Sequence, residues 1–407
     1  RNILSFGTSG LRGPVVDMTD LECYISIRGY VRWLKHTPQE QGGYLGRDLK
    51  MKEQATVYVA GDLRSSTDRI MRAVARAIED EGLIAVNCGK IPSPAVAYYG
   101  MQNNSASIMV TGSHIPDDRN GIKPNKTNGE ILKADEAGIK TAIKEVREEE
   151  YSKLDYTSSL FDSEDMFKEE KSLSKVDAKA KKVYLSRYLT AFPKDILKGK
   201  KIVFYQHSAV GRDILYDILR YLGVEKEDLI IVERSEDKFI PVDTEVVKQE
   251  LLDKVATWVT EYKPFAVLFT DGDSDRPGLF DDKGRFLWGD LLGVLVSKYL
   301  EADFAAVTIS SNDAIDQSLK GKVKIVKTQI GSPHVIKAMM EAEASGSKRV
   351  VSWEGNGGFL TKTDLILNNT IFKALPTRDA VLPLISALIL ATHEEKSLSS
   401  LLDEFNR

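Results

Sequence analysis

Three aspartates stand at alternate positions in Asp271–Arg276, which reads DGDSDR. The small residues between them let the carboxylates of Asp271, Asp273 and Asp275 converge on one hard cation, and Mg²⁺ or Ca²⁺ takes such oxygen ligands. Crowded carboxylates repel one another unless a positive charge lies among them. The segment therefore predicts a divalent-cation site, and an acidic surface turn is the alternative.

An EF-hand calcium loop does not fit this acidic segment. Its sixth position requires Gly, where this chain has Arg276, and its twelfth requires Glu, where this chain has Asp282. Arg276 can instead pair with one of the carboxylates or meet a phosphate, because its planar guanidinium matches phosphate oxygens. From these residues alone, the acidic segment is either a divalent-cation site or an acidic surface turn.

The segment Ser107–Lys123 begins as an apolar run and ends in small and polar residues, SHIPDDRNGIK. Ser113 follows a predicted buried strand but does not lie on a hydrolase nucleophile elbow, since no G-x-S-x-G surrounds it. His114 need not be its base, because neighbouring side chains on an extended chain point apart. Asn120-Gly121 is a turn signal. From these residues alone, the segment is either a structural turn or a nucleophile.

Three further segments place polar residues among glycines. Ser5–Gly13 (SFGTSGLRG) can turn its N–H groups towards an anion, although it lacks the nucleotide P-loop pattern. Val351–Leu360 (VSWEGNGGFL) sets Glu354 and Asn356 in a turn after a strand, where carboxylate and amide groups suit sugar hydroxyls. Lys327–Pro333 (KTQIGSP) offers a lysine and a Gly-Ser turn. Taken alone, Ser5–Gly13 is better explained as an ordinary loop, Val351–Leu360 is equally consistent with a hairpin turn, and Lys327–Pro333 is unremarkable.

The elements that must position these segments are apolar, β-branched runs that alternate with helical patterns. This alternation predicts parallel or mixed sheets covered by helices, and hence an α/β fold. Two helices are predicted at Ser66–Glu81 and Gly211–Leu222. The candidate strands are Thr56–Ala60, Ala106–Thr111, Lys201–Tyr205, Leu229–Val232, Ala266–Thr270 and Ala305–Ile309.

Two boundaries divide the chain. Glu145–Lys182 is crowded with charged residues and serine, and a second boundary is expected near Arg276–Gly289. We therefore predict three consecutive mixed-sheet α/β domains. They comprise residues 1–148, residues 149–276 with a charged linker at 149–180, and residues 277–407.

The composition of the 407 residues is that of an ordinary globular protein. The formal net charge of −4 provides no basic field, so neither a nucleic acid nor a membrane is expected as a partner. Cys23 and Cys88 are too few for a disulfide framework and fit a reducing, cytoplasmic compartment. The longest apolar stretch, Ala380–Ala391, is too short to span a bilayer and predicts a buried helix.

Taken in order, these segments resemble the α-D-phosphohexomutase superfamily and its phosphomannomutase/phosphoglucomutase branch, from Phe6 to about Arg407. FGTSGLRG resembles the opening loop of the family, VAGDLRSS its V-x-G-x-D-x-R-x-S-S stretch with one residue missing, and IPSPAVAY its T-P-x-P-A-x-A-Y stretch. VTGSHIPDDRNGIK resembles the phosphoserine loop, DGDSDR the metal loop and EGNGGF the sugar-binding loop. GSPHVI and LPTRDAVLPL are also similar to this branch.

The resemblance implies a role for each matching residue. Ser113 would carry a phosphoryl group, against which Mg²⁺ would be held by Ser113 itself and by Asp271, Asp273 and Asp275. His114 and Lys123 would transfer protons to and from the sugar hydroxyl, and Arg12 and Arg276 would steady the phosphoserine. The residues expected to bind the substrate are Arg276, Lys327, Gly331, Ser332, Glu354 and Asn356.

The activity implied is a phosphohexomutase that interconverts mannose 1-phosphate and mannose 6-phosphate, and glucose phosphates as well. Phosphorylated Ser113 would pass its group to the substrate, and the resulting hexose 1,6-bisphosphate would return the other phosphate. The same bisphosphate would serve as activator. Because one site must accept the sugar in two orientations, the domains are expected to surround a central cleft.

The chain departs from the family pattern at several places. Gly112 replaces the usual Ala and Ile115 the usual Asn, and Tyr205–Asp213 lacks the common N-G-A-G turn. The chain also stops at Arg407, about where a fourth domain with a phosphate-clamping loop should begin, so that domain is expected to be missing. Since remote phosphate contacts contribute binding energy to turnover, the alternative is a non-catalytic or weakly active sugar-phosphate-binding protein. A Mg²⁺-dependent phosphatase using Ser113 is a third hypothesis.

Overall fold

The structure, a computed structural model, describes residues 4–7, 10–153, 160–169 and 171–404. Thr8 and Ser9 of the predicted anion loop and part of the predicted charged linker lie outside these residues. The described chain forms two compact units, one ending at Tyr184 and the other beginning at Leu185.

The first unit is built on a mixed sheet. Its order is β1-β2-β6-β5-β3-β4, with β7 paired to β6. β3 runs parallel to β4 and β5, whereas β6 is antiparallel to β5 and β2. The strands are β1 (Phe6–Gly7), β2 (Gly10–Pro14), β3 (Thr56–Gly61), β4 (Ile84–Lys90), β5 (Ala106–Val110), β6 (Arg119–Lys126) and β7 (Gly129–Glu130).

Helices cover this sheet. α1 is buried over most of its length and contacts both α2 and α4, so it forms the centre of one helical layer. The helix predicted at Ser66–Glu81 is α2. The helices are α1 (Asp20–His36), α2 (Thr67–Asp80), α3 (Ser93–Gln102) and α4 (Glu136–Ser152), with short 3₁₀ turns at Gln39–Gln41, Lys52–Gln54 and Lys133–Asp135.

The second unit contains two sheets, and the division between the units falls within α5 (Lys179–Ala191). The first of its sheets has the order β11-β10-β8-β9, in which β11 is antiparallel to β10 and the other pairs are parallel. Its elements are β8 (Ile202–Tyr205), α6 (Arg212–Tyr221), β9 (Leu229–Val232), α7 (Gln249–Tyr262), β10 (Ala266–Thr270) and β11 (Pro277–Phe280).

The remaining sheet has the order β13-β12-β14-β15-β18, and β16 and β17 form a separate hairpin. Its helices include α11, which is almost fully buried and packs on α8, as expected for the apolar stretch. The elements are α8 (Gly289–Tyr299), β12 (Phe304–Thr308), α9 (Ala314–Ser318), β13 (Lys324–Thr328), α10 (Ser332–Ala344), β14 (Val350–Trp353), β15 (Phe359–Thr361), β16 (Leu365–Leu367), β17 (Thr370–Phe372), β18 (Leu375–Asp379), α11 (Val381–His393) and α12 (Leu398–Asp403).

The α/β class with mixed sheets is confirmed, and two details differ from expectation. Asn120 and Gly121 do not form a turn, because cross-strand pairing with β2 holds them inside β6. The sheet containing β10 extends to Phe280 through β11. The predicted division between residues 276 and 277 therefore falls between two paired strands of one sheet. Among the described residues, no helix is long and apolar enough to cross a membrane.

Candidate active site

Ser113 lies in the loop that joins β5 to β6, at the carboxyl end of β5. Its φ is 57°, in the left-handed region, and its backbone N–H donates to Oγ1 of Thr111 at 2.8 Å. The sequence led us to expect that Ser113 and His114 point apart. The left-handed turn instead brings Ser113 Oγ to 3.3 Å from His114 Nδ1. The two side chains are therefore within reach of a hydrogen bond.

A buried ion pair supports this serine loop. Nε of Arg64 lies 3.1 Å from Oδ2 of Asp62, and neither side chain is exposed to solvent. The other guanidinium nitrogens of Arg64 donate to the carbonyl oxygens of Ser113 at 2.8 Å and Pro116 at 2.6 Å. Asp62 also accepts a hydrogen bond from Thr111 at 2.7 Å. The conformation of the loop thus depends on Asp62 and Arg64, which precede it by about fifty residues in sequence.

The glycine at position 112 provides the space for Arg64. A Cβ there would lie 2.7 Å from Cζ and 2.8 Å from Nε of Arg64. The departure from the usual family Ala therefore has a steric cause in this chain: the guanidinium occupies the space of the methyl group.

Arg12 and Lys123 occupy one face of the first sheet. Arg12 pairs with Gly121 across β2 and β6, and Lys123 lies two residues farther along β6, so both side chains point to the same side. Arg12 is exposed, and Nζ of Lys123 lies 3.5 Å from Oε1 of Glu130. Two cationic side chains thus lie on strands adjacent to the serine loop.

The acidic segment is the connection between β10 and β11. Oxygens of Asp271, Asp273 and Asp275 lie within 4.8 Å of one another, and all three residues are buried. Within the loop, Oδ1 of Asp271 accepts from the backbone N–H of Asp275 at 3.2 Å and of Arg276 at 3.1 Å. Nε of Arg276 lies 3.8 Å from Oδ1 of Asp275. The structure therefore brings together the carboxylates predicted to share a cation.

Electrostatics in this cluster favour a bound cation. Burial, followed by the nearby carboxylates of Asp273 and Asp275, raises the pKa of Asp271 well above its usual value. Oxygen donors of this kind suit a hard divalent ion, which would relieve both the desolvation and the repulsion. The residues present fit such an ion.

The loop after β8 donates hydrogen bonds to the acidic segment. Val210 donates its N–H to the carbonyl of Gly272 at 3.0 Å, and Gly211 donates to Oγ of Ser274 at 3.0 Å. In the same loop, His207 is fully buried and its Nε2 lies 2.7 Å from the carbonyl oxygen of Thr270. Although this loop lacks the expected family turn, it still holds the acidic segment.

Glu354 and Asn356 follow β14 in a tight turn that leads into β15. Both are buried, and Oδ1 of Asn356 accepts from the N–H of Gly358 at 2.9 Å, so the amide itself shapes the turn. Oγ1 of Thr244 donates to the carbonyl oxygen of Asn356 at 2.8 Å. Thr244 gave no signal in the sequence, since it lies 112 residues from its partner.

The residues predicted on the KTQIGSP segment take different positions. Lys327 is on β13 and forms ion pairs with Asp313 at 2.6 Å and Asp316 at 2.9 Å. The hydrogen bonds that Lys327 donates to these carboxylates raise its pKa. Ser332 is the first residue of α10 and Gly331 is its N-cap, just beyond the carboxyl end of β13. This end of β13 lies at the same sheet edge as the carboxyl end of β14, because both strands run parallel to β12.

Arg378 on β18 was not predicted as a site residue, although it lies in the segment LPTRDAVLPL. Its Nε donates to Oδ2 of Asp275 at 3.0 Å, and its Nη1 lies 3.5 Å from Oε1 of Glu354. Arg64 was likewise missed, although it is part of VAGDLRSS. In both cases the motif was visible but the long-range contact was not.

Successive open α/β sheets, with a serine loop and a buried acidic cluster at strand ends, are the parts of a metal-dependent phosphoryl-transfer protein. Three domain families match the chain: phosphoglucomutase/phosphomannomutase, alpha/beta/alpha domain I over residues 4–150, domain II over 182–284 and domain III over 288–407. The chain belongs to the phosphoglucomutase/phosphomannomutase family of the α-D-phosphohexomutase superfamily.

Two relatives with similar sequences support this assignment. The chain is 39% identical to a phosphomannomutase of Sinorhizobium fredii, covering 97% of this chain and 77% of that protein. It is 36% identical to a phosphomannomutase of Salmonella muenchen, covering 98% and 74%.

Solved structures share the fold. One is a phosphoglucomutase/phosphomannomutase family protein from Burkholderia thailandensis, with a TM-score of 0.70 at 16% identity, covering 98% of this chain and 80% of that one. Another is parafusin, a phosphoglucomutase from Paramecium, with a TM-score of 0.70 at 19% identity, covering 100% and 76%.

Proposed function

We propose that this chain is a phosphomannomutase that interconverts mannose 1-phosphate and mannose 6-phosphate and also accepts glucose phosphates. The observation that carries the proposal is the buried cluster of Asp271, Asp273 and Asp275 in a chain 39% identical to a phosphomannomutase. We assign Mg²⁺ to this cluster, with phosphorylated Ser113 as a further ligand. When bound, the ion supplies positive charge that stabilises the transferring phosphoryl group.

Ser113 carries the phosphoryl group in this proposal. The P–O bond to Ser113 Oγ breaks as a new P–O bond forms to a hydroxyl oxygen of the hexose phosphate. In the first half-reaction the hydroxyl proton passes to His114 or Lys123, and Ser113 Oγ takes up a proton as it leaves. In the second, Ser113 Oγ gives up its proton, and the sugar oxygen that leaves takes one up. The hexose 1,6-bisphosphate formed between the two steps then gives its other phosphate back to Ser113.

The remaining roles concern binding. Arg12 and Arg276 hold the phosphoserine, since a planar guanidinium matches phosphate oxygens. Glu354 and Asn356 bind sugar hydroxyls, and Lys327, Gly331 and Ser332 bind the neighbouring part of the substrate. Added hexose 1,6-bisphosphate serves as activator because it rephosphorylates Ser113.

The test is mass spectrometry combined with turnover. We expect phosphate on the peptide that contains Ser113, and loss of mannose phosphate interconversion in Ser113→Ala. Ser345→Ala, which removes an exposed hydroxyl at the end of α10, is the control for an ordinary serine. Undiminished turnover in Ser113→Ala would contradict the mechanism. Binding of mannose 1-phosphate without turnover, even with the bisphosphate added, would identify a sugar-phosphate-binding protein instead.

A further inference from the structure

Arg378 connects two loops of the second unit. Its Nε donates to Oδ2 of Asp275 in the acidic loop at 3.0 Å, and its Nη1 lies 3.5 Å from Oε1 of Glu354 in the glycine-rich loop. The side chains of Asp275 and Glu354 are 1% and 9% exposed, and that of Arg378 is 16% exposed. One guanidinium therefore provides positive charge to two carboxylates that are largely removed from water.

The surroundings hold Arg378 in this position. A Cβ at Gly358 would lie 2.5 Å from Cδ and 2.7 Å from Cγ of Arg378. The lack of a side chain at Gly358 therefore leaves room for the aliphatic part of the Arg378 side chain. The next residue, Asp379, accepts hydrogen bonds from the Tyr188 hydroxyl and from the N–H of Val381. These two hydrogen bonds anchor the backbone next to Arg378.

We infer that Arg378 is a positioning residue that couples the cation-binding loop to the sugar-binding loop. The inference rests on the proposed function of the two loops. A cation at Asp275 and the guanidinium interact with the same carboxylate, so they oppose each other there. Arg378 also keeps Glu354 oriented, because removing one partner of a buried pair leaves the other charge uncompensated. The arginine therefore weakens cation binding slightly while it strengthens sugar-phosphate binding.

Replacing Arg378 should change the cation affinity and the sugar-phosphate affinity in opposite directions. A residue with a general structural role would lower both affinities together. In Arg378→Gln, titration calorimetry with Mn²⁺ should give a tighter cation affinity, by about two- to tenfold for the loss of a nearby positive charge at roughly 0.5–1.4 kcal/mol. The affinity for mannose 1-phosphate, measured in the Ser113→Ala background to prevent turnover, should fall at least about fivefold, as expected for an interaction of roughly 1 kcal/mol.

Arg378→Lys provides the second comparison. A lysine keeps the charge but cannot reach both carboxylates with one planar group. We expect Mn²⁺ affinity to return to that of the wild type while mannose 1-phosphate affinity stays low. If both affinities in Arg378→Gln match the wild type, or if both fall together with the melting temperature, the inference is wrong.

Gly358→Ala tests the position of the arginine without changing its charge, since the added methyl group meets its stem. Gly355→Ala is the matched control in the same loop, where a Cβ has no atom within 4 Å. We expect weaker mannose 1-phosphate binding in the first variant and a smaller change in the second, and equal effects would contradict the inference. If the wild type binds no hexose phosphate, the proposed function fails, whereas the Mn²⁺ comparison still tests Arg378.

Discussion

Nη2 of Arg64 donates a hydrogen bond of 2.8 Å to the carbonyl oxygen of Ser113. The arginine is itself held by Asp62, and both side chains are fully buried. Burial disfavours the charged carboxylate and raises the pKa of Asp62, so the ion pair and the hydrogen bonds from Thr111 and Thr67 are needed to keep it ionised. The backbone of the proposed phosphoserine is therefore set by an ion pair in the interior of the first unit.

Replacement of Gly112 by Ala, the usual residue of the family, should harm this protein. The added methyl group would lie 2.7 Å from Cζ of Arg64. Overpacking of this kind costs about 1–3 kcal/mol in the free energy of unfolding. Urea denaturation measures this cost, and we expect turnover to fall as well because the serine loop shifts. Gly7→Ala is the control for stability, since its Cβ has no atom within 4 Å. Equal stability of both variants would contradict the steric explanation.

The acidic cluster should destabilise the protein when no divalent cation is bound. The pKa of Asp271 is raised by burial and by its neighbours, so its contribution to stability is present in acid and is lost as the pH rises through the folded-state value. Asp273→Asn removes one repelling charge. At neutral pH with a chelator, this variant should unfold at a higher urea concentration than the wild type.

Asp273→Asn should also lose the stabilisation that Mg²⁺ gives the wild type. At a concentration about 100 times its Kd, the ion should stabilise the wild type by about 2.7 kcal/mol. This stabilisation should shrink in mild acid, because protons compete with the cation for Asp271. A wild type that gains no stability from Mg²⁺ at neutral pH would rule out the proposed cation site.

His207 should make stability depend on pH. Burial lowers its pKa from 6.5 to about 4, and the backbone hydrogen bond to Thr270 requires only the neutral ring. Since the unfolded chain binds the proton more tightly, stability is fully present above pH about 6.5 and is lost as the pH falls towards about 4. The loss amounts to roughly 3 kcal/mol at about 1.36 kcal/mol per pKa unit.

His207→Gln keeps an N–H donor but does not titrate. Urea denaturation in neutral and acidic buffer should show a smaller loss of stability in the variant than in the wild type. The same pH dependence in both proteins would assign the acid sensitivity to other groups.

Thr244→Val removes the hydroxyl that donates to the carbonyl oxygen of Asn356. Since the carbonyl is left without this buried donor, the free energy of unfolding should fall by about 1 kcal/mol. We expect KM for mannose 1-phosphate to rise more than kcat falls, because the loop that carries Asn356 binds substrate in our proposal. Thr257→Val on the exposed side of α7 is the control. A change in kcat alone would argue against a binding role.

Much of the fold was predictable from local patterns in the sequence. Apolar runs and their spacing identify a strand by its own residues, so the predicted strands at Leu229–Val232 and Ala266–Thr270 match β9 and β10. The three aspartates were also predictable as a cluster, because alternate residues in one short loop are close whatever surrounds them.

Only the tertiary structure decided which distant residues support the site. Arg64 reaches the carbonyl of Ser113, Thr244 that of Asn356, and Arg378 the carboxylate of Asp275, which lies 103 residues away in sequence. Such contacts depend on strand order and register, which the local pattern of side chains does not specify. The sequence by itself therefore determined the chemical groups and the strand ends that carry them, and packing between distant segments determined how those groups are held.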